Sequence, residues 1–124
     1  MQTKMYILVK NSLPIGMAAS AIAHASLGTY LNFEQHGDMQ YWLRNSFKKV
    51  VCGVSDEEFE AAKQYERHTV FNESTLNGNE TAIGFCPREI YPVQFLKYKL
   101  YQGSKQWIYF KKIIGSGIFK WIRY

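Results

Sequence analysis

The chain has 124 residues, 47% of them apolar and 20% charged, which fits one globular domain able to bury a core without disulfide or metal staples. Its early apolar run, residues 5–9, is too short for a membrane span or a signal-peptide core, so a cytoplasmic protein is expected. The net charge of +5 is unevenly placed: residues 1–103 carry ten basic and ten acidic side chains, whereas 104–124 hold Lys105, Lys111, Lys112, Lys120 and Arg123 and no acid.

In chain order, M-Y-I-L-V-K over 5–10 reads as a largely buried strand, rich in β-formers. The Asn, Ser, Pro and Gly of 11–16 form a turn, with Ser12 placed to cap a following helix. That helix is predicted over about 15–33. Its side chains between Met17 and Leu27 are almost all small, and His24 is the one large polar group among them. Small side chains let a helix lie close to a sheet. Gly37 breaks the chain, Asp38 is placed to cap a second helix over 39–45, and K-K-V-V-C-G-V over 48–54 is a second strand. Ser55 and Glu58 have capping-box spacing, with acids in the first turn where the helix dipole favours them and Phe59, Ala62 and Tyr65 as the apolar stripe. Strands over 69–71 and 81–86 flank a polar loop at 74–79, and residues 91–101 fit a short helix or an edge strand equally well.

This order predicts an α/β fold, a mixed four-stranded sheet sandwiched by helices. A helical crossover makes the first two strands parallel, and a short loop makes the last two an antiparallel hairpin. Cys52 and Cys86 fall in predicted strands and read as buried, reduced thiols; neither has a second Cys or His at metal-ligand spacing, so neither a metal nor a cofactor is expected.

At four places the residues resemble the type II peptidyl-tRNA hydrolases, small α/β enzymes that cleave the ester between a stalled peptide and its tRNA. The opening strand with its terminal Lys10, followed by Ser12 and Leu13, is similar to that family's strand, basic residue and Asp-Leu. G-M-A-A-S-A-I-A-H-A over 16–25 has the spacing of its G-K-x-A-A-Q-x-x-H-A helix. The second strand with S-D-E-E-F, and later T-A-I-G-F-C-P and K-Y-K-L-Y, resemble its remaining elements. The resemblance covers about 4–101 and implies a peptidyl-tRNA hydrolase II-like domain over 1–103 with a basic aromatic extension over 104–124.

The departures fall on the catalytic set that the resemblance implies. Met17 stands at the family's catalytic Lys and Ala21 at its Gln. The D-A-G-x-T loop is not recognisable; the best match puts Glu73 at the Asp and Thr81 at the later Thr. Ester hydrolysis needs a positioned base or water and a cation or N–H donors for the developing oxyanion, and a thioether supplies none of these. The expectation is a divergent family member with a degraded site that binds RNA or protein. The alternative is a working hydrolase with a rewired site of Lys10, His24, Glu73 and Thr81, Lys10 replacing the lost cation. Each of these also has a plain structural role open to it: His24 as a packed histidine, Glu73 as a solvated strand end, Thr81 as an ordinary strand residue.

On a helical wheel Trp107, Phe110, Ile114, Ile118 and Trp121 share one face of the extension, opposite Lys112, Ser116, Lys120 and Arg123. Lys111 intrudes on the apolar side, and Gly115 and Gly117 each cost a helix about 1 kcal/mol relative to Ala. The pattern suits docking on the body or in a homodimer. It also suits tRNA or other RNA, gripped by Lys105, Lys111, Lys112, Lys120 and Arg123 with aromatic stacking, or a membrane surface met by the stretch that begins at Trp107 and ends at Tyr124.

Overall fold

The computed structural model describes residues 2–103. Its elements run β1 (Lys4–Lys10), α1 (Ile15–Asn32), α2 (Gly37–Asn45), β2 (Lys48–Val54), α3 (Asp56–Ala62), β3 (His68–Glu73), β4 (Asn79–Phe85) and β5 (Lys99–Leu100). They form one mixed sheet in the order β3-β4-β1-β2-β5. β1 and β2 are parallel, in register from Lys4 opposite Lys48 to Lys10 opposite Val54. β3 and β4 form the expected antiparallel hairpin, and β4 pairs antiparallel with β1. The α/β fold is as read from the sequence. The sheet has five strands rather than four, because residues 91–101 supply both a short 3-10 turn (Val93–Leu96) and a two-residue edge strand on β2.

Strand alternation divides the core in two. Met5, Ile7 and Val9 point to the face covered by α1 and α2, joining Ala18, Ala21, Ala25, Met39 and Trp42. Tyr6 and Leu8 point to the other face, where Phe59 of α3, Ile83, Phe85 and Phe95 pack. Each fully buried Leu, Ile or Phe among them contributes about 1.5–3 kcal/mol. Cys52 and Cys86 are buried free thiols, pushed up to about 11 chiefly by that burial, so both stay neutral at pH 7.

α1 sits on the sheet with its small side. Ala18, Ala21, Ala25 and Thr29 are buried against it, while Ile15, Leu27 and Leu31 face outward, 47%, 62% and 57% exposed. The contact with β4 is close enough that a Cβ at Gly84 would overlap Thr29 Oγ1 and lie 3.2 Å from the Ala25 carbonyl oxygen. On the β3 side, a Cβ at Gly28 would overlap the Phe71 ring.

Two predicted caps are not made. Pro14, not Ser12, is the α1 N-cap, and no side chain bonds to that end. α2 begins two residues early because the His36 ring Nδ1 accepts the Asp38 N–H at 3.1 Å, while the Asp38 carboxylate accepts from Arg67 at 3.0 Å. The α3 capping box is present: Ser55 Oγ accepts the Glu58 N–H at 3.1 Å and Glu58 Oε1 accepts the Ser55 N–H at 3.0 Å. Ser55→Ala is expected to cost about 1 kcal/mol of stability, read as a shifted urea midpoint with unchanged slope. Among the described residues no helix is long and apolar enough to cross a membrane.

Candidate functional site

β1 and β2 leave the sheet side by side at Lys10 and Val54, and their chains then diverge to opposite faces, β1 into α1 and β2 into α3. Such a switch point, beyond the carboxyl ends of parallel strands, is where open α/β sheets bind ligands. A cleft of about 480 Å³ lies there, lined by Lys10, Ser12, Asp56, Gly78, Asn79 and Glu80 among others. The Asn11 N–H donates to the Val54 carbonyl at 2.9 Å and the Leu13 N–H to the Lys10 carbonyl at 3.3 Å, which fixes the turn forming one wall.

The charges in this cleft are partly committed. Glu80 Oε1 accepts from Lys63 Nζ at 2.6 Å, and Lys63 also donates to Glu60 at 2.9 Å. Those bonds, Glu80's first, hold the Lys63 ammonium above its ordinary range. Lys10 has the parity of Tyr6 and Leu8, so its side chain takes the α3 face, with Nζ 4.8 Å from the centroid of the Phe59 ring. Asp56 is exposed in the first turn of α3.

The other predicted residues lie elsewhere. His24 is exposed on α1, its Nε2 3.2 Å from Ser20 Oγ. Glu73 ends β3 and accepts from the Thr75 N–H at 3.3 Å and the Thr75 hydroxyl at 3.2 Å. These bonds hold its carboxyl below the usual range; burial opposes them, and His24 adds a smaller pull in the same direction. His24 and Glu73 are therefore within electrostatic reach of each other. Thr81 is 2% exposed, and its hydroxyl donates to the Phe71 carbonyl at 3.2 Å inside the hairpin. Met17, in the first turn of α1, is half-buried against the α1 face of the core, seven residues and two helical turns before His24. The structure thus leaves His24 on Ser20, Glu73 on Thr75 and Lys10 in the cleft, and encloses Thr81. Lys105, Lys111, Lys112, Lys120 and Arg123 lie outside the described residues.

Sequence reasoning did not place Asp56, Asn79 and Glu80 at a site. Asp56 reads as helix capping, and Glu80 falls between the polar loop at 74–79 and the strand at 81–86. The available signal is positional: Asp56 follows the end of a parallel strand by two residues, where the switch-point rule applies. Among the described residues no group of three or more His, Cys, Asp or Glu is arranged to hold a metal ion.

The family model described as "Peptidyl-tRNA hydrolase PTH2" matches residues 3–95. A curated peptidyl-tRNA hydrolase of Methanopyrus kandleri is 40% identical over 58 residues, a match covering 44% of this chain and 50% of that protein. The chain therefore spans about half the length of the curated relative it matches.

Proposed function

Since the chain belongs to the peptidyl-tRNA hydrolase PTH2 family, we propose that it is a member whose ester-hydrolysing set is degraded and whose remaining work is to bind RNA, with tRNA as the first partner to test. The observation that carries this reading is the pair formed by Met17 and Lys10. A thioether stands where the family resemblance calls for a lysine, and Lys10, the candidate replacement cation, points to the opposite face of the sheet, over Phe59. Thr81, whose hydroxyl is engaged with a backbone carbonyl, adds no free donor. Residues 1–103 carry no net charge, so phosphate affinity rests on 104–124.

The test uses the full chain with purified peptidyl-tRNA, following both binding and peptide release. Binding that weakens as salt rises is expected, with Lys111→Gln/Lys112→Gln reducing the salt slope by about 2. Salt-independent binding contradicts the electrostatic reading of the extension. A working hydrolase is the second reading, supported by the exposed His24 and by a Glu73 carboxyl held below its usual range by Thr75 and, to a smaller degree, by His24. Release at a rate abolished by His24→Ala and by Lys10→Ala would establish it and remove the first.

A further inference from the structure

α1 presents Ala23, Leu27 and Tyr30 beside α2, and they do not stand alone. With α2 and the start of β2 they form a second cleft of about 480 Å³, lined by Ala23, Leu27, Tyr30, Trp42, Leu43 and Phe47. Its aromatic floor is built in advance. Phe47 has a left-handed backbone (φ 56°), uncommon for a bulky residue, and its N–H donates to the Trp42 carbonyl at 2.7 Å. Its ring stacks on Trp42 with centroids 5.1 Å apart. Leu27 is 62% and Phe47 56% exposed, an apolar surface that in a soluble domain marks a place where something binds.

The end of the described chain points to the occupant. β5 runs antiparallel to β2, with Gly53 opposite Lys99 and Cys52 opposite Leu100, and the Tyr101 N–H donates to the Val51 carbonyl at 2.9 Å. Continued in this register, Gly103 falls level with Lys49, which lines the cleft beside Phe47. Lys49 has the strand parity of Val51, which packs on the α1 side of the core. Gly103 has φ 96°, a conformation that lets the chain leave the sheet edge at that point. The next 21 residues carry Trp107, Phe110, Ile114, Ile118 and Trp121 at helical spacing. Trp107 is four residues past Gly103, within about 14 Å of it at full extension.

We propose that residues 104–124 dock their apolar face into the cleft between α1 and α2 of the same chain, by the helix-in-groove mode. The cleft's charged lining residue is Lys49, and the segment is itself basic, so attraction between charges does not drive this contact. Burial of apolar surface drives it, which makes docking insensitive to salt, in contrast to RNA or anionic-lipid binding by the same segment. The inference rests on the fold and not on the RNA reading; where both hold, RNA and the cleft compete for the segment.

Trypsin digestion of the dilute, RNA-free full chain tests this. Cleavage after Lys111 and Lys112 is expected to be about ten-fold faster in Leu27→Glu and in Leu43→Lys than in the unaltered chain, at both 0.1 M and 1 M NaCl. Leu96→Glu, in a separate exposed apolar patch, leaves the rate unchanged. Equal rates in all variants overturn the proposal. So does protection lost at 1 M NaCl, which assigns it to charge, or protection that grows with protein concentration, which assigns it to a second copy. A measurement on the unaltered chain covers the case in which the cleft variants fail to fold. Proton–proton contacts by NMR are expected between the Trp107 and Phe110 rings and the methyl groups of Leu27 and Leu43, and their absence overturns the proposal.

Discussion

Met17→Lys is expected to raise peptide release from peptidyl-tRNA by about 10²-fold over the unaltered chain. Attack on the ester places negative charge on the carbonyl oxygen, and removing one pre-organised donor from such a site typically costs about 10²–10³ in rate. Restoring a cation where the resemblance calls for one recovers the lower end of that range, because Ala21 still replaces the family's Gln. The exchange is sterically mild. Methionine and lysine share an unbranched stem, and Met17 is half-buried against the core, so the lysine stem can occupy its place with the ammonium in water. A cation this near the α1 N-terminus costs at most about 1 kcal/mol. Steady-state release by Met17→Lys, with His24→Ala added as a control, checks the prediction. A rate unchanged in the folded variant would show that a cation at this position is not what limits release.

Gly84→Ala is expected to destabilise the domain by about 3 kcal/mol, a large share of the roughly 5–15 kcal/mol of a typical domain. Its new methyl would overlap Thr29 Oγ1, lie 3.0 Å from Thr29 Cβ and press on the Ala25 carbonyl at 3.2 Å. Neither neighbour yields easily. Thr29 is 0% exposed on a helix already pressed to the sheet, and the Ala25 oxygen is backbone. Thr29 Oγ1 has no hydrogen-bond partner among the described residues, so Thr29→Ala alone is expected to change stability little. Together the two substitutions are expected to recover about 1–2 kcal/mol of the Gly84→Ala loss, since the worst overlap is gone. Urea unfolding of the four proteins in the cycle measures this. Strict additivity would mean that the helix moves away as a whole rather than clashing at Thr29. Because α1 carries both Met17 and His24, such a movement would also appear in the Met17→Lys release assay.

Features set by neighbours in sequence were legible without a structure. β2 falls at 48–54 as predicted, α1 starts at Ile15, and the Ser55–Glu58 box closes as its spacing dictates. Hydrophobic period and capping chemistry act over a few residues, so the sequence carries them directly. The second helix was legible but its start was not, because His36 and Asp38 both offer acceptors and Arg67, from a distant part of the chain, draws the Asp38 carboxylate away. The edge strand Lys99–Leu100 has no local signature of its own. Its two residues become a strand because the β2 edge is open beside them.

The candidate site divides in the same way. Sequence by itself determined the order of elements, the neutral body with its basic extension, and the substitution of Met17 on a small-residue helix, because each is a property of residue identity and short-range spacing. Only the tertiary structure decided where the chemistry-bearing side chains go. It placed Lys10 over Phe59, enclosed Thr81 within its hairpin, tied Glu73 to Thr75 and gathered Asp56 and Glu80 at the ends of the parallel strands. The reason is geometric: strand parity and the faces chosen by two crossovers are set by how the whole sheet assembles, and a single residue's neighbours in sequence do not encode them.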